Sequence, residues 1–420
     1  MTAGLRAADD VIGRTRRHLS TGRAALGRLM GAVVEVRSEG CWVYAVDGRR
    51  YLDFGGYGVF LLGHCHPVVV DAVGHQLRTH PLATRTFLEP VTALAAEALA
   101  GIAPPGLDRV HFVNSGTEAT EAALKLARAH GHTALVTTVS GFHGKTLGAL
   151  SVTANPLYQD PFRPLLPDVV AVPYGDLPAI EQAVAERGER ACVIVEPVQG
   201  EGGVVVPPPG YLHSLARTCA AHGAFLIVDE VQTGLGRLGS WWGVDGQGPD
   251  GAAVVPDVLL VGKGLSGGVV PVAALLTGER TYAPFGRDPF LHSSTFGGSP
   301  LASAAALATV RVMRDEDIPA RAARLGQRLL SDVRELCATH GGGIVAQVRG
   351  RGLLIGVELA GQEHLGELVL ALVERGVLVN HSLNASRVLR LTPPAVLHDD
   401  ELALFAQVFG EALRAVANGT

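Results

Sequence analysis

The sequence predicts an α/β protein with a largely parallel central sheet and a second, smaller α+β unit. Three observations lead there. Short β-rich runs recur through the middle of the chain and are apolar on both sides, as strands buried under helices are. Stretches of helical period fall between several of them, the alternation that a parallel sheet with crossovers requires. From about residue 318 onward the pattern changes to helices with only a few strands.

Taken in order, "WVYAVDGRRYLDF" (42–54) reads as a hairpin that joins the smaller unit from the other end of the chain. Strands of the large sheet are expected at 109–113, 134–139, 169–173, 192–197, 225–230, 258–262 and 272–277, with helices at 117–130 and 208–222. Later runs, "GLLIGVEL", "GVLVN" and "RVLRL", supply strands of the smaller unit. The expected division is a segment 1–66 joining the small domain, a large domain 67–317 and a small domain 318–420. Gly- and Pro-rich stretches at 200–210 and 243–257 read as loops.

The chain has 420 residues, 47% of them hydrophobic and 18% charged, enough for a large core and for two domains. A net charge of −5 gives no reason to expect nucleic acid or an anionic membrane as partner. The first twenty residues carry charges throughout, so no secretion signal is expected. No run of eighteen apolar residues suggests a membrane span. Five scattered cysteines point to a reduced, cytoplasmic protein without disulfides. "GHCHP" (63–67) lacks a second ligand pair, and no metal is expected there.

Residues 225–239, "FLIVDEVQTGLGRLG", hold two competing signals. Gly234, Gly236 and Gly239 spell the dinucleotide fingerprint, but that motif must open a helix directly after its strand. Here "SWWGVDGQG" follows, which is no helix, so the glycines read as a tightly turned loop. "GFHGKT" (141–146) is likewise no phosphate loop, because Val139 stands where one needs glycine.

The other signal is Asp229, a carboxylate closing an apolar strand, with Lys263 closing the next one. A lysine is costly to bury and is seldom structural in such a place. In "FVNSGTEATEAALKLARAHG" (112–131), Ser115 and Glu118 suit an S-x-x-E capping box. The free N–H groups of Gly116 and Thr117 would then form a phosphate cradle on the helix start. An amine, a fixed negative charge and an anion cradle are together what pyridoxal 5′-phosphate needs.

With those residues in view, the chain resembles the class III (ω-) aminotransferases, a fold-type I family of pyridoxal-phosphate enzymes. "DGRRYLDF", "GHCHP", "NSGTEATEAALKLAR", "GFHGKTLGALS", "VEPVQGEGGV", "DEVQTGLGRLG", "HSSTFGGSPLASAAALA" and "VRGRGLLIGVEL" occur in the family's order. Several stretches, "LVNHSLNASRVLRLTPP" among them, are most similar to the putrescine aminotransferase branch. The resemblance implies that Lys263 holds the cofactor covalently and moves the substrate proton. It implies that Asp229 pairs with the pyridine nitrogen, that Gln232 reaches the ring hydroxyl and that Phe142 stacks on the ring. Ser115, Gly116 and Thr117 would hold the phosphate, with Thr295 contacting it from the neighbouring subunit of a homodimer with composite sites. Glu201 would pair with Arg390, which takes the carboxylate of a 2-oxoacid, and Tyr57 would line the amine's path. "GSP" at 298–300 and "GKGLSGG" at 262–268 depart slightly from the family's commoner forms.

The implied activity is transfer of a terminal amino group from a putrescine-like diamine to 2-oxoglutarate or pyruvate. Ornithine, acetylornithine, 4-aminobutyrate and a biosynthetic aldehyde remain alternative substrates. A non-catalytic relative is opposed by the presence of both Lys263 and Asp229, and a racemase or decarboxylase on the same fold would not need an oxoacid.

Overall fold

A computed structural model describes residues 8–419. The first seven residues of the stretch read for a secretion signal lie outside the described residues. Among those described, a seven-stranded sheet runs in the order Arg109–Val113, Ala273–Thr277, Val258–Val261, Phe225–Asp229, Ala191–Val195, Ala134–Thr138, Val169–Val172. All seven expected strands are present, each within about two residues of its expected limits.

The last five strands of that order pair in parallel, while Ala273–Thr277 is antiparallel to both its neighbours. The connection 262–272 explains the exception. It holds only a 3-10 turn, Lys263–Ser266, and is too short for the helical crossover that parallel pairing demands. Lys263 therefore lies on a tight return at the strand end.

Side chains alternate between the faces of the sheet. Val193, Val195, Leu226 and Val228 enter one apolar cluster; Cys192, Ile194, Phe225 and Ile227 enter another. Both faces are thus buried, which is why these strands read as continuous apolar runs.

A second sheet pairs Val345–Arg351, Leu354–Leu359, Val388–Leu391 and Asn380–His381, all antiparallel. The hairpin Trp42–Ala45 and Arg50–Asp53 belongs to a third, in which Val377–Leu378 pairs with Arg50–Asp53 in parallel. Phe54 stacks on Phe405 at 3.9 Å, and Trp42 Nε1 donates to Glu401 at 2.7 Å, so the early hairpin packs on the late helix Asp399–Asn418.

The helix expected from residue 208 starts only at Tyr211. Pro207, Pro208 and Pro209 lack the N–H groups a helix needs, and Gly210 caps it with φ 76°. No helix among the described residues is long and apolar enough to cross a membrane.

Candidate active site

Parallel strands open their C-terminal ends on one edge, and loops at that edge commonly form the binding crevice. Here a cavity of about 370 Å³ lies there, lined by Gly116, Thr117, Phe142, Glu201, Asp229, Gln232 and Lys263, with His143, Lys145 and Glu196 beside them. Eight of the eleven residues expected from sequence are brought to this cavity or its edge: the seven named first, and Arg390 through its contact with Glu201.

The helix Gly116–Ala129 starts at the cavity. Ser115 caps it, its hydroxyl accepting from the Glu118 N–H at 3.4 Å. The expected reciprocal box is not formed. Glu118 instead accepts from the N–H of Asn114 at 2.6 Å, one residue before the cap. The first N–H groups of a helix have no intrahelical acceptor and suit an anion. Gly144, at φ 124°, lets the loop after Ala134–Thr138 press against this start, since a Cβ there would run into Thr117.

Asp229 ends its strand with both oxygens engaged. Oδ1 accepts from the Val231 N–H at 3.0 Å, and Oδ2 lies 2.8 Å from Nδ1 of His143. Burial works against a charge on His143, but the Asp229 carboxylate outweighs it and holds the imidazole above its ordinary value. The sequence offered no sign of this partner, because a histidine beside an aromatic residue is usually packing. Glu196 lies near both, and burial pushes its carboxyl up to about 7.

Lys263 takes φ 44°, a conformation that non-glycine residues adopt at a cost and that clusters at functional sites. Burial lowers its ammonium pKa below the ordinary 10.5, and Arg390 adds to the effect against the pull of Glu201 and Asp229. The shift favours the neutral amine, the form that can take up a proton.

Gln232 is buried with neither amide atom hydrogen-bonded. A Cβ on Gly200 would collide with its side-chain oxygen, so glycine is required there for the amide to fit. An orphaned buried amide facing the cavity calls for a polar ligand. The donor set as a whole fits pyridoxal 5′-phosphate: anion cradle, carboxylate, amide, aromatic wall and amine.

Glu201, in a turn beyond the strand Ala191–Val195, and Arg390, in the strand Val388–Leu391, meet at 2.5 Å, with side chains 7% and 0% exposed. Burial raises the Glu201 carboxyl, yet Arg390, Lys263 and the Leu383 N–H together bring it below its ordinary value. None of the guanidinium nitrogens makes a well-aligned hydrogen bond.

Of the other three expected residues, Ser115 caps the helix that starts at the cavity, and Tyr57 and Thr295 lie elsewhere. Tyr57 sits at φ 52° with 64% of its surface exposed, next to Gly58, which packs against Gln232 and Lys263. Thr295 is exposed and does not line the cavity of its own chain. Ser299, in the "GSP" that departs from the family's commoner form, caps the helix Pro300–Asp315 through its hydroxyl, accepting from the Ala302 N–H at 3.4 Å. The "GLGRLG" loop is a series of turns whose buried Arg237 donates to the carbonyls of Leu353, Pro393 and Gly58. Burial lowers that guanidinium to about 9.

The "Aminotransferase class-III" family model matches residues 25–413. Ornithine aminotransferase of Toxoplasma gondii, in whose active site pyridoxal phosphate is partly occupied, is 33% identical and superposes with a TM-score of 0.90, over 99% of this chain and 96% of that one. An (S)-enantioselective ω-transaminase of Thermomicrobium roseum is 29% identical with a TM-score of 0.89, covering 98% and 99%. Acetylornithine aminotransferase of Elizabethkingia anophelis is 29% identical with a TM-score of 0.81, covering 97% and 98%.

Proposed function

The chain belongs to the class-III aminotransferases, enzymes dependent on pyridoxal 5′-phosphate, and from that premise we propose that it moves a terminal amino group from a short diamine such as putrescine to 2-oxoglutarate or pyruvate. The buried Glu201–Arg390 pair beside Lys263 carries this reading. One pocket must take a donor without an α-carboxylate and then an acceptor that has one. With Glu201 in place, the Arg390 charge is shielded and a cationic donor can approach. When Glu201 gives way, the unaligned guanidinium donors are free to grip a carboxylate bidentately.

The cofactor, when bound, supplies an electron sink for the substrate carbon. With it bound, Lys263 would take the proton from that carbon, Asp229 would keep the ring nitrogen protonated and Gln232 would meet the ring hydroxyl. Phe142 would face the ring, and Ser115, Gly116 and Thr117 would hold the phosphate. Tyr57 lines the amine's path. The protein acts in the cytoplasm as a homodimer, with domain limits near residues 66 and 317.

A second reading rests on Lys145, which also lines the cavity, its Nζ 3.9 Å from the Tyr158 ring centroid. A cation there favours a donor with a distal carboxylate, of the ornithine or 4-aminobutyrate kind. The test is a donor panel of putrescine, ornithine and 4-aminobutyrate, each half-reaction being followed by cofactor absorbance. Putrescine should give the highest kcat/KM, and Lys145→Met should not impair it. A requirement for a donor carboxylate, with KM raised by Lys145→Met, overturns the diamine assignment in favour of the second reading.

A further inference from the structure

The loop that carries Thr295 is gathered at a single atom of its own chain. Nη2 of Arg85 lies 2.6 Å from the carbonyl oxygen of Ser294, 3.1 Å from that of Thr295 and 2.7 Å from that of Gly297. Three carbonyl dipoles pointing at one place repel each other unless a cation sits between them. Arg85 meets them from a left-handed backbone, φ 61°, which a side-chain-bearing residue holds only against steric cost.

The loop is tied further along by Asn114, whose amide donates to Ser294 Oγ at 3.1 Å, and by Thr92, whose hydroxyl donates to the Gly298 carbonyl at 3.0 Å. Thr295 itself is left exposed. Close in sequence to Arg85 and Thr295 stand Phe87, Leu88, Phe290 and Phe296, exposed by 80%, 103%, 86% and 58% in the single chain. Large apolar side chains bared in this way suit burial against another protein surface.

We propose that Arg85 is a positioning residue acting across a subunit boundary. By collecting the three carbonyls it fixes the loop from which Thr295 reaches the cofactor phosphate held by a second copy of this chain. The proposal rests on the composite-site role given to Thr295 above. Exposed hydrogen bonds of this kind contribute little in water, but once a second copy covers the face they are desolvated and hold the loop firmly. The contacts converge on one nitrogen, so a lysine ammonium with three donors can replace the guanidinium, and an uncharged chain of similar length cannot.

Affinities of the full-length protein, stripped of cofactor and reloaded with pyridoxal 5′-phosphate or with phosphate-free pyridoxal, distinguish this from a general structural role. Arg85→Met should weaken binding of the phosphorylated cofactor about tenfold, the scale of one lost charge-assisted contact, and leave pyridoxal unchanged. Arg85→Lys should stay within about threefold of wild type, which guards against a folding defect. Mixed with inactive Lys263→Ala chains, Arg85→Met should regain activity, because the site with an intact lysine then receives Thr295 from the chain that keeps Arg85. Arg85→Met binding both cofactors as wild type does, or weakening both equally without complementation, overturns the proposal. Thr295→Ala separates the two levels. If it weakens phosphate-dependent binding while Arg85→Met does not, only the Arg85 inference fails. If Thr295→Ala leaves that binding unchanged, the composite-site reading falls, and the inference with it.

Discussion

Two buried ion pairs flank Lys263, and they are held in opposite ways. Asp229, the last residue of its strand, and His143, in the loop after Ala134–Thr138, lie at one edge of the large sheet, and each has a further fixed tie: the Val231 N–H for Asp229, and Thr153 Oγ1 for the His143 backbone N–H. Glu201 and Arg390 bridge two sheets. Glu201 follows Ala191–Val195, Arg390 stands in Val388–Leu391, and no guanidinium nitrogen is well aligned. A pair within one sheet edge suits a permanent charge. A pair that joins two sheets with no aligned guanidinium donor suits a contact that opens, and this supports its proposed role as a substrate switch.

The largest effect should come from removing what both pairs face. Lys263→Ala should lower turnover by more than ~10⁴-fold with circular dichroism unchanged, since covalent and proton-transfer roles are lost together. In the cofactor-free wild type, the pH dependence of Lys263 acylation should have a midpoint below 10.5, because burial lowers the Lys263 value. A midpoint at or above 10.5, or turnover surviving in Lys263→Ala, breaks the comparison at its centre.

Next in size, Asp229→Asn should keep the cofactor, as judged by its absorbance after gel filtration, and lose ~10²–10³-fold in rate. An unchanged rate means another group faces the ring nitrogen.

The switch pair should then separate the two half-reactions. Arg390→Ala should cost the oxoacid half ~2–4 kcal/mol, roughly 30- to 1000-fold in kcat/KM, and the amine half much less. Glu201→Ala should do the reverse. Removing one partner of a buried pair also destabilises by about 3–5 kcal/mol, so both halves are measured in the same variant, where that loss is common to them. Equal effects on both halves in both variants abolish the distinction between fixed and opening pairs.

The smallest effect concerns the fixed pair. His143 is held above its ordinary 6.5, so its pairing contributes stability that is fully present below pH 6.5 and is lost as pH rises through the folded value. His143→Asn should therefore narrow its Tm deficit as pH increases above 6.5, with activity reduced only about tenfold. A deficit independent of pH would mean that His143 is neutral in the native protein.

Local pattern alone was enough for the seven strands, the helix start at Ser115 and the placing of Asp229 and Lys263 at strand ends. Side-chain period and capping are encoded within a few residues. Glu201, Arg390, Gln232 and Phe142 became legible only through likeness to a family, since nothing in their immediate neighbours marks them. Tertiary structure decided the rest. His143 meets Asp229 across 86 positions only because Ala134–Thr138 and Phe225–Asp229 open on the same edge of the sheet. Arg237 looked like part of a turn and is a buried cation held by three carbonyls from distant segments. Glu230, next to Asp229, is pushed by burial to about 7 and turns to Thr233 and Val244, while Asp229 faces the cavity. Secondary structure follows from the spacing of side chains along the chain. Which charge meets which partner, and how much water each keeps, depends on the order in which the sheet assembles its strands.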